Sequence, residues 1–353
     1  MGGLHIFNPE HDIVLAAGCV SKMNGIPRAA RLLSRDLGFL PAFWAHEGDY
    51  VLVADVACAE EAAAPFSSYL PEVHYVTIGE LRDVLSHERL SLKPCPWGWN
   101  YDVRARLIEV GADSSLMPDA DMLAYIRRMS SRETTFDLLH LMTDSHVMTV
   151  GERWVAHSIA DVQQRIVRQG AIVVKSPWSS SGRGVKFISG LMTESEEGFI
   201  RRSISQQGCV VIEPYYDKVL DFAFEFEVKG SEGTVFKGLS IFENIGSGYA
   251  GGVLASEEDK RNILREYVPD AMMVWMEKTL VRWFNGLKNY EGPAGVDMMV
   301  VRTAEGIRIH PVVEVNLRRT MGHAAISVHH RTQGSFSRMR IVYDKGNYKL
   351  KLT

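Results

Sequence analysis

The segment Ala171–Phe187, with the sequence AIVVKSPWSSSGRGVKF, decides how the rest of the chain is interpreted. Its apolar start predicts a short strand that ends at Lys175, and Pro177 stops that strand. The turn that follows consists of small residues, which let backbone N–H groups approach an anion closely. The turn residues are Ser179, Ser180, Ser181, Gly182, Arg183 and Gly184. Two interpretations are open here: a phosphate-binding loop behind a lysine, or an ordinary β-hairpin with a polar turn.

A second informative pattern lies far downstream, where two strands are predicted at 295–301 and 307–315. Asp297 lies on the first strand. Glu314 and Asn316 are two positions apart at the end of the second strand, so both face the same side. Two carboxylates and an amide oxygen are hard ligands of the kind that holds Mg²⁺. The alternative is a strand edge with solvated charges, but the apolar run before Glu314 favours a buried strand.

The composition is that of an ordinary globular protein. The 353 residues suit two or three domains, and a formal net charge of −4 with interspersed charges gives no signal for nucleic acid or an anionic membrane. The four cysteines are scattered without a CxxC pair, which favours reduced thiols over disulfides or a zinc site. The start of the chain does not resemble a signal peptide, and no apolar run approaches the ~20 residues of a membrane helix. We therefore expect a cytoplasmic protein.

The N-terminal third alternates short strands and helices, which is typical of an α/β domain with a mainly parallel sheet. The first predicted strand is followed by the sequence NPEHD at 8–12. Ligands of open α/β sheets commonly bind beyond strand ends, so Asn8, Glu10 and His11 are candidate site residues. A capped turn is the alternative for this loop. Asp12 is interpreted as the cap of a helix that starts near residue 13.

Two further segments are predicted to be loops. The proline- and tryptophan-rich stretch 93–100 is expected to be a rigid connection whose aromatic residues pack one domain on the next, although Trp97 is also a candidate for a ligand cleft. The glycine-rich stretch 246–252 is expected to be a flexible loop.

Four groups of motifs occur in a fixed order along the chain. They are VVKSPWSSSGRGVKF, then VVIEPYY with DFAFEFEV, then GVDMMVV, then VVEVNLRRTMG. Together they resemble the ATP-grasp superfamily, which includes D-alanine–D-alanine ligase, glutathione synthetase and biotin carboxylase. The resemblance covers residues from about 131 to about 330.

The resemblance implies the fold class α/β (α+β): an N-terminal α/β domain with a mainly parallel sheet, followed by a two-lobed ATP-grasp domain with antiparallel sheets. The expected domains are an N-terminal domain at 1–125, a first ATP-grasp lobe with the phosphate loop at 126–212, and a second lobe with the metal site and a C-terminal hairpin at 213–353.

The resemblance also implies how ATP is held. Lys175 is similar to the family's strand lysine that contacts the α- and β-phosphates, and the turn 179–184 is similar to the loop that closes over ATP. Glu213 and Tyr215 resemble the hinge that binds adenine, and Asp221 falls where the family often has a ribose-binding glutamate.

The metal and transfer residues follow in the same way. Asp297, Glu314 and Asn316 match the Mg²⁺ ligands of the family, with two ions expected and Mn²⁺ as an alternative metal. Arg318 resembles an arginine near the phosphate being transferred, and Arg319 follows it at once.

Three positions depart from the family pattern. The family's earlier phosphate-binding lysine is missing, and Arg132 is the nearest candidate. D-alanine-type ligases have an arginine where this chain has Gly295. Thr320-Met321-Gly322 replaces the Pro-Gly that often ends the metal motif. The last two departures concern the substrate more than the ATP site, so the resemblance does not identify the substrate.

The implied reaction is an ADP-forming ligation: a carboxylate attacks the γ-phosphate of ATP, and an amine or thiol then displaces phosphate from the acyl phosphate. Lys175, Arg318 and Arg319 neutralise charge in this scheme. The expected partners are a small-molecule or peptide carboxylate and an amine acceptor, without nucleic acid or membrane; a homodimer is compatible with the sequence. Candidate substrate residues are Asn8, Glu10, His11, Trp97 and His323.

Two other functions are open at this stage. One is an ATP-grasp phosphotransferase that acts on a hydroxyl or imidazole group. The other is a non-catalytic nucleotide-binding protein, although such a protein has no need to retain three Mg²⁺ ligands.

Overall fold

The structure is a computed structural model that describes residues 2–19, 25–87, 91–179, 184–246, 248–288 and 290–353. The chain divides into two compact units. The first comprises residues 1–126, 250–257 and 318–353, and the second comprises 127–249 and 258–317. All four cysteines are unpaired. Within the described ranges, every helix is too short or too polar to span a bilayer.

The first unit begins with a parallel sheet of order β3-β2-β1-β4, which confirms the predicted α/β start of the chain. Its strands are β1 (Gly2–Ile6), β2 (Tyr50–Leu52), β3 (His74–Val76) and β4 (Leu92–Pro96). The helices are α1 (His11–Ala17), α2 (Arg28–Asp36), α3 (Val56–Ala63), α4 (Ile78–His87), α5 (Tyr101–Glu109) and α6 (Ala120–Met129). Buried Leu4, Leu81 and Leu107 from one strand and two helices form part of its core.

Strand β4 corrects the prediction that the stretch 93–100 is entirely a loop. Pro94 and Pro96 are in register with Leu4 and Ile6 of β1. The strand lies at the edge of the sheet, where a missing N–H on the outer side removes no hydrogen bond. Trp97 follows this strand and packs edge-on against Phe7 of the same unit, with ring centroids 5.0 Å apart.

The second unit contains most of the middle of the chain. Its strands are β5 (Trp154–Ala156), β6 (Ala171–Lys175), β7 (Val185–Ser189), β8 (Val210–Pro214), β9 (Asp217–Lys229), β10 (Thr234–Ile245), β12 (Glu291–Thr303) and β13 (Gly306–Asn316), whereas β11 (Gly248–Val253) belongs mostly to the first unit. The helices are α7 (Phe136–Asp144), α8 (Ile159–Gln169), α9 (Glu194–Gln207), α10 (Glu257–Arg265) and α11 (Asp270–Asn285).

Two antiparallel arrangements in the second unit confirm the predicted antiparallel sheets. One sheet has the order β5-β8-β6-β7, and the strands β13-β12-β9-β10 are neighbours in the other. On β9, Phe222, Phe224 and Phe226 point to a buried face, and Phe226 contacts Phe284 of α11 with ring centroids 5.0 Å apart. Because side chains alternate along a strand, Ala223 points to the opposite face, and its register partner is Asp297.

The remaining elements belong to the first unit. They are α12 (Met321–Arg331), β14 (Arg338–Asp344) and β15 (Asn347–Leu352), and the two strands form the predicted terminal hairpin. The predicted loop at 246–252 is instead largely the strand β11, whose residues Gly251–Val253 pair with β14. Glycine suits this close pairing because a Cβ at Gly251 would lie 2.6 Å from the Met339 carbonyl oxygen. Of this stretch, residue 247 lies outside the described residues.

Candidate functional site

The carboxylate of Glu213 lies between two buried cations in the second unit. Lys175, the last residue of β6, donates to Oε2 over 2.5 Å, and Arg153 donates to Oε1 over 2.7 Å. All three side chains are almost fully buried. Burial alone would raise the pKa of Glu213, but Lys175 and Arg153 outweigh it and hold the pKa well below its ordinary value. Glu213 is therefore an ionised anchor for both cations.

The pKa of Lys175 is lowered, because burial outweighs the effect of its ion pair with Glu213. Burial and the nearby Arg153 and Arg132 lower its pKa, while Glu213 opposes the shift. Lys175 is the last residue of β6, directly before the serine turn, as predicted from the sequence. Its position on the buried end of a strand gives it little freedom to move.

Arg132 links the start of that turn to the late hairpin. Its Nη1 donates to the Ser176 carbonyl over 2.7 Å and to Ser179 Oγ over 2.8 Å, and its Nη2 donates to Glu314 Oε1 over 2.8 Å. The side chain is nearly buried. Arg132 was the candidate for a missing phosphate-binding lysine, and it lies among the expected phosphate-loop and metal residues.

The two described ends of the turn are close together. The Ser176 amide donates to the Gly184 carbonyl over 2.8 Å, and a Cβ at Gly184 would lie 2.2 Å from the Ser179 Cβ. Glycine is therefore needed for this approach. The other expected turn residues, Ser180, Ser181, Gly182 and Arg183, lie outside the described residues.

The three expected metal ligands lie on adjacent strands. Asp297 on β12 is directly opposite Glu314 on β13, and Asn316 is opposite Gly295. The Asn316 amide nitrogen lies 3.4 Å from Asp297 Oδ2. The pairing predicted from sequence therefore brings two carboxylates and an amide to one face of the sheet.

This donor set fits Mg²⁺ in kind and in charge. Oxygen ligands from one or two carboxylates, completed by phosphate oxygens and water, are the usual environment of Mg²⁺ in nucleotide sites. Among the described residues, no group of three His, Cys, Asp or Glu side chains is placed to hold a metal alone. One of the three expected ligands, Glu314, pairs with the Arg132 guanidinium in this structure.

The other expected nucleotide residues are also in the second unit. Tyr215, which follows β8, is more than half exposed, and its ring lies 4.7 Å from that of Phe187. Asp221 on β9 accepts hydrogen bonds from Lys218 and Asn244 over 2.5 and 3.0 Å. An exposed aromatic ring next to a buried strand end is compatible with the expected hinge.

Sequence reasoning missed two buried residues of this region. Arg153 was not singled out, although a lone arginine just before a short apolar strand is an unusual core residue. His310 on β13 is fully buried, and burial lowers its pKa to about 3. Among the described residues, neither ring nitrogen has a hydrogen-bond partner. Its ring lies 5.5 Å from that of Tyr216. No sequence signal separated this histidine from an ordinary strand residue.

A second group of expected residues lies in the first unit, around Arg318. The Arg318 Nε lies 3.1 Å from both carboxylate oxygens of Asp12, and Nη2 lies 2.8 Å from Oδ2. The predicted cap role of Asp12 is wrong: α1 begins at His11, and the Asp12 side chain pairs with an arginine from the far end of the chain. Burial would raise the pKa of Asp12, but Arg318 and His11 hold it well below its ordinary value.

His11 and Asn8 tie the 8–12 loop to the segment that follows β4. His11 Nδ1 lies 3.0 Å from Asp12 Oδ1, and Nε2 lies 3.0 Å from the Trp99 carbonyl oxygen. Asn8 exchanges two hydrogen bonds with the Gly98 backbone. A Cβ at Gly98 would lie 2.4 Å from the His11 ring. The loop is therefore a fixed structure at the end of β1.

The remaining expected substrate residues have varied surroundings. Arg319 lies over the ring of Trp44, and its amide donates to the Trp97 carbonyl. His323 Nδ1 contacts Thr320 in the N-terminal cap of α12. Glu10 is buried, its Oε2 has no hydrogen-bond partner in the described part of the chain, and burial raises its pKa.

Comparison with known proteins identifies the fold. No protein-family profile and no curated protein sequence matches the chain. The biotin carboxylase domain of Hydrogenobacter thermophilus 2-oxoglutarate carboxylase, solved with MgADP, ADP and bicarbonate, has a TM-score of 0.54 at 11% identity; the match covers 99% of this chain and 73% of that one. Campylobacter jejuni biotin carboxylase, in a β,γ-ATP complex, also has a TM-score of 0.54 at 11% identity, covering 98% and 73% of the two chains.

A third similar structure is N5-carboxyaminoimidazole synthetase from Staphylococcus aureus complexed with ADP. Its TM-score is 0.49 at 11% identity, and the match covers 98% of this chain and 83% of that one. Biotin carboxylase is one of the ATP-grasp enzymes whose motifs the sequence resembles. The chain therefore has the ATP-grasp fold of the biotin carboxylases.

Proposed function

We propose that the protein is an ATP- and Mg²⁺-dependent ligase that activates a carboxylate as an acyl phosphate and joins it to an amine or thiol, with release of ADP and phosphate. The observation that carries the proposal is the link made by Arg132 between Ser179, in the expected phosphate loop, and Glu314, in the expected metal set. This link supports a single site that contains both parts.

The chain's own residues provide positioning and charge. Lys175 and Arg132 supply positive charge to the phosphates, and Glu213 fixes Lys175 at the strand end. Asp297, Glu314 and Asn316 are the residues that would hold the metal. Bound Mg²⁺ supplies neutralisation of the phosphate charge and orients the phosphate oxygens.

The transfer step needs no nucleophile from the protein. The substrate carboxylate forms a bond to the γ-phosphorus as the bond to the β,γ-bridging oxygen breaks, so that ADP leaves and an acyl phosphate forms. The amine then attacks the acyl carbon, and phosphate leaves as the amine loses its proton. Arg318 is proposed to stabilise charge on the transferred phosphoryl group.

The test is product analysis with ATP, Mg²⁺ and a panel of carboxylic acids and amines. The proposal expects ADP, and not AMP, to form only with the correct acid. Lys175→Ala and Glu314→Ala are expected to reduce turnover below detection, while the exposed-residue controls Lys186→Ala and Glu305→Ala retain it. Normal turnover in either site variant would contradict the proposal. A stable phosphorylated product would identify a phosphotransferase, and Mg²⁺-dependent ATP binding without ADP across the panel would identify a binding protein.

A further inference from the structure

Within the first unit, Arg318 is held by a carboxylate that the sequence does not associate with it. Asp12 lies at the start of the chain and Arg318 near its end, 306 positions apart. The three N–O distances are 2.8 to 3.1 Å and involve both carboxylate oxygens. Both side chains are mostly buried, with exposed fractions of 12% and 17%. A planar guanidinium held through two nitrogens has a fixed direction as well as a fixed position.

We propose that Asp12 is a positioning residue, which orients the Arg318 guanidinium for the transferred phosphoryl group. This inference rests on the proposed function and deepens it by adding a residue that does not touch ATP. A lysine in place of Arg318 would keep the positive charge. It has a single side-chain nitrogen, however, and could not bind the Asp12 carboxylate through two nitrogens in one plane.

The contacts of His11 support a positioning role. One ring nitrogen faces the Asp12 carboxylate and the other faces the Trp99 carbonyl, and both of these groups are acceptors. Asp12 thus lies between the Arg318 guanidinium and the His11 ring, and neither carboxylate oxygen is without a donor.

The backbone around this pair is also built for close contact. A Cβ at Gly98 would lie 2.4 Å from the His11 ring and 2.7 Å from the Arg318 Cβ, so only glycine fits between them. Asn8 holds the same glycine through both of its backbone polar groups. Three chain segments therefore converge on Arg318, which is more than a single surface ion pair provides.

The experiment compares the wild type with Asp12→Asn and with Asp36→Asn. Asp36 is a matched control, because its carboxylate is also largely buried in the first unit, pairs with Arg35, and accepts a hydrogen bond from the Tyr348 amide. The measurements are ADP formation, and binding of MgADP with and without orthovanadate as a mimic of the transferred phosphoryl group. Asp12→Glu, which keeps the charge but shifts it by one methylene, replaces Asp12→Asn if that variant does not fold.

We expect Asp12→Asn to lower kcat by about tenfold to hundredfold, the loss typical of a misplaced catalytic group, with KM for ATP nearly unchanged. It should also remove any gain in MgADP affinity from vanadate, while Asp36→Asn retains both properties. Unchanged kcat and an unchanged vanadate effect in Asp12→Asn would overturn the inference. A parallel loss of all MgADP binding would overturn it too, because Asp12 would then act on the structure of the site as a whole.

A measurement that needs no turnover separates this inference from the proposed function. The Arg318 Nε–H signal in ¹⁵N NMR, assigned by its absence in Arg318→Lys, should be protected from solvent exchange in the wild type and in Asp36→Asn but not in Asp12→Asn. A wild type that binds no MgADP would overturn the proposed function. Equal exchange in all three proteins would overturn the positioning role in either case.

Discussion

Arg132 and Glu314 form an ion pair of 2.8 Å although 182 positions separate them in the chain. The same guanidinium also binds the Ser176 carbonyl and Ser179 Oγ. Arg132 thereby holds the start of the serine turn against β13, the strand that carries two of the three expected metal ligands. The pair joins two halves of a candidate nucleotide site that are far apart in sequence.

Replacing Arg132 with alanine is expected to weaken nucleotide binding and stability together. The change leaves Glu314 without its cation and removes an anchor of the turn, so we expect a loss of about 1–3 kcal/mol in the free energy of unfolding. The Kd for MgADP should rise. Arg201→Ala is the control, since its exposed pair with Glu197 is worth about 0.5 kcal/mol or less. Urea unfolding and calorimetric titration measure both effects; equal values for the two variants would contradict the prediction.

Replacing Glu213 with glutamine is expected to destabilise the second unit strongly. The amide cannot balance the charges of Lys175 and Arg153, and removing one partner of a buried ion pair costs about 3–5 kcal/mol. Glu197→Gln on α9 is the control, because its pair with the exposed Arg201 is reached by solvent, and it should change stability little. Chemical denaturation gives the comparison. A Glu213→Gln protein as stable as the wild type would show that the two cations do not depend on this carboxylate.

The buried His310 is expected to make the protein less stable in mild acid. Its pKa is about 3 in the folded protein, against an ordinary value of 6.5, so below pH 6.5 the unfolded chain takes up a proton that the folded chain does not. Stability should therefore fall as pH is lowered, by about 2 kcal/mol at pH 5 from this group.

His310→Phe should reduce that pH dependence between pH 7 and 5, measured as the free energy of unfolding at each pH. His46→Phe is the control, because that side chain is 88% exposed. The charges of Glu213, Arg153 and Lys175 also act on this histidine, after the larger effect of its burial. A pH profile of His310→Phe that matches the wild type would show that His310 is not the responsible group.

Replacing Gly98 with alanine is expected to disturb the group around Arg318. The new Cβ would lie 2.4 Å from the His11 ring, and such overpacking typically costs about 1–3 kcal/mol. Gly79→Ala is the control, because the nearest described atom to a Cβ at that position, the Thr77 hydroxyl oxygen, lies 4.0 Å away. Thermal unfolding compares the two. Equal melting temperatures would mean that the 8–12 loop can move to make room for the new Cβ at little cost in stability. That result would also argue against a fixed position of Arg318, which lies next to the same glycine.

The strand pattern of this protein is readable from its sequence because alternation and strand ends are local properties. The run before Lys175 and the late strands with Asp297 and Glu314 were predicted as strands, and they are strands. The two errors, at β4 and β11, come from prolines and glycines that tertiary pairing tolerates. An edge position accommodates proline, and a close neighbouring strand requires glycine.

The sequence alone determined the fold class and the residue types at the strand ends, since hydrophobic periodicity and turn residues act over a few positions. Only the tertiary structure decided which charges meet. Asp12 was interpreted as a helix cap from its neighbours, yet it pairs with Arg318; Glu213 was interpreted as a hinge residue, and it also holds Lys175 and Arg153. Partners so distant in the chain are brought together by the path of the whole backbone, and no local pattern encodes that path.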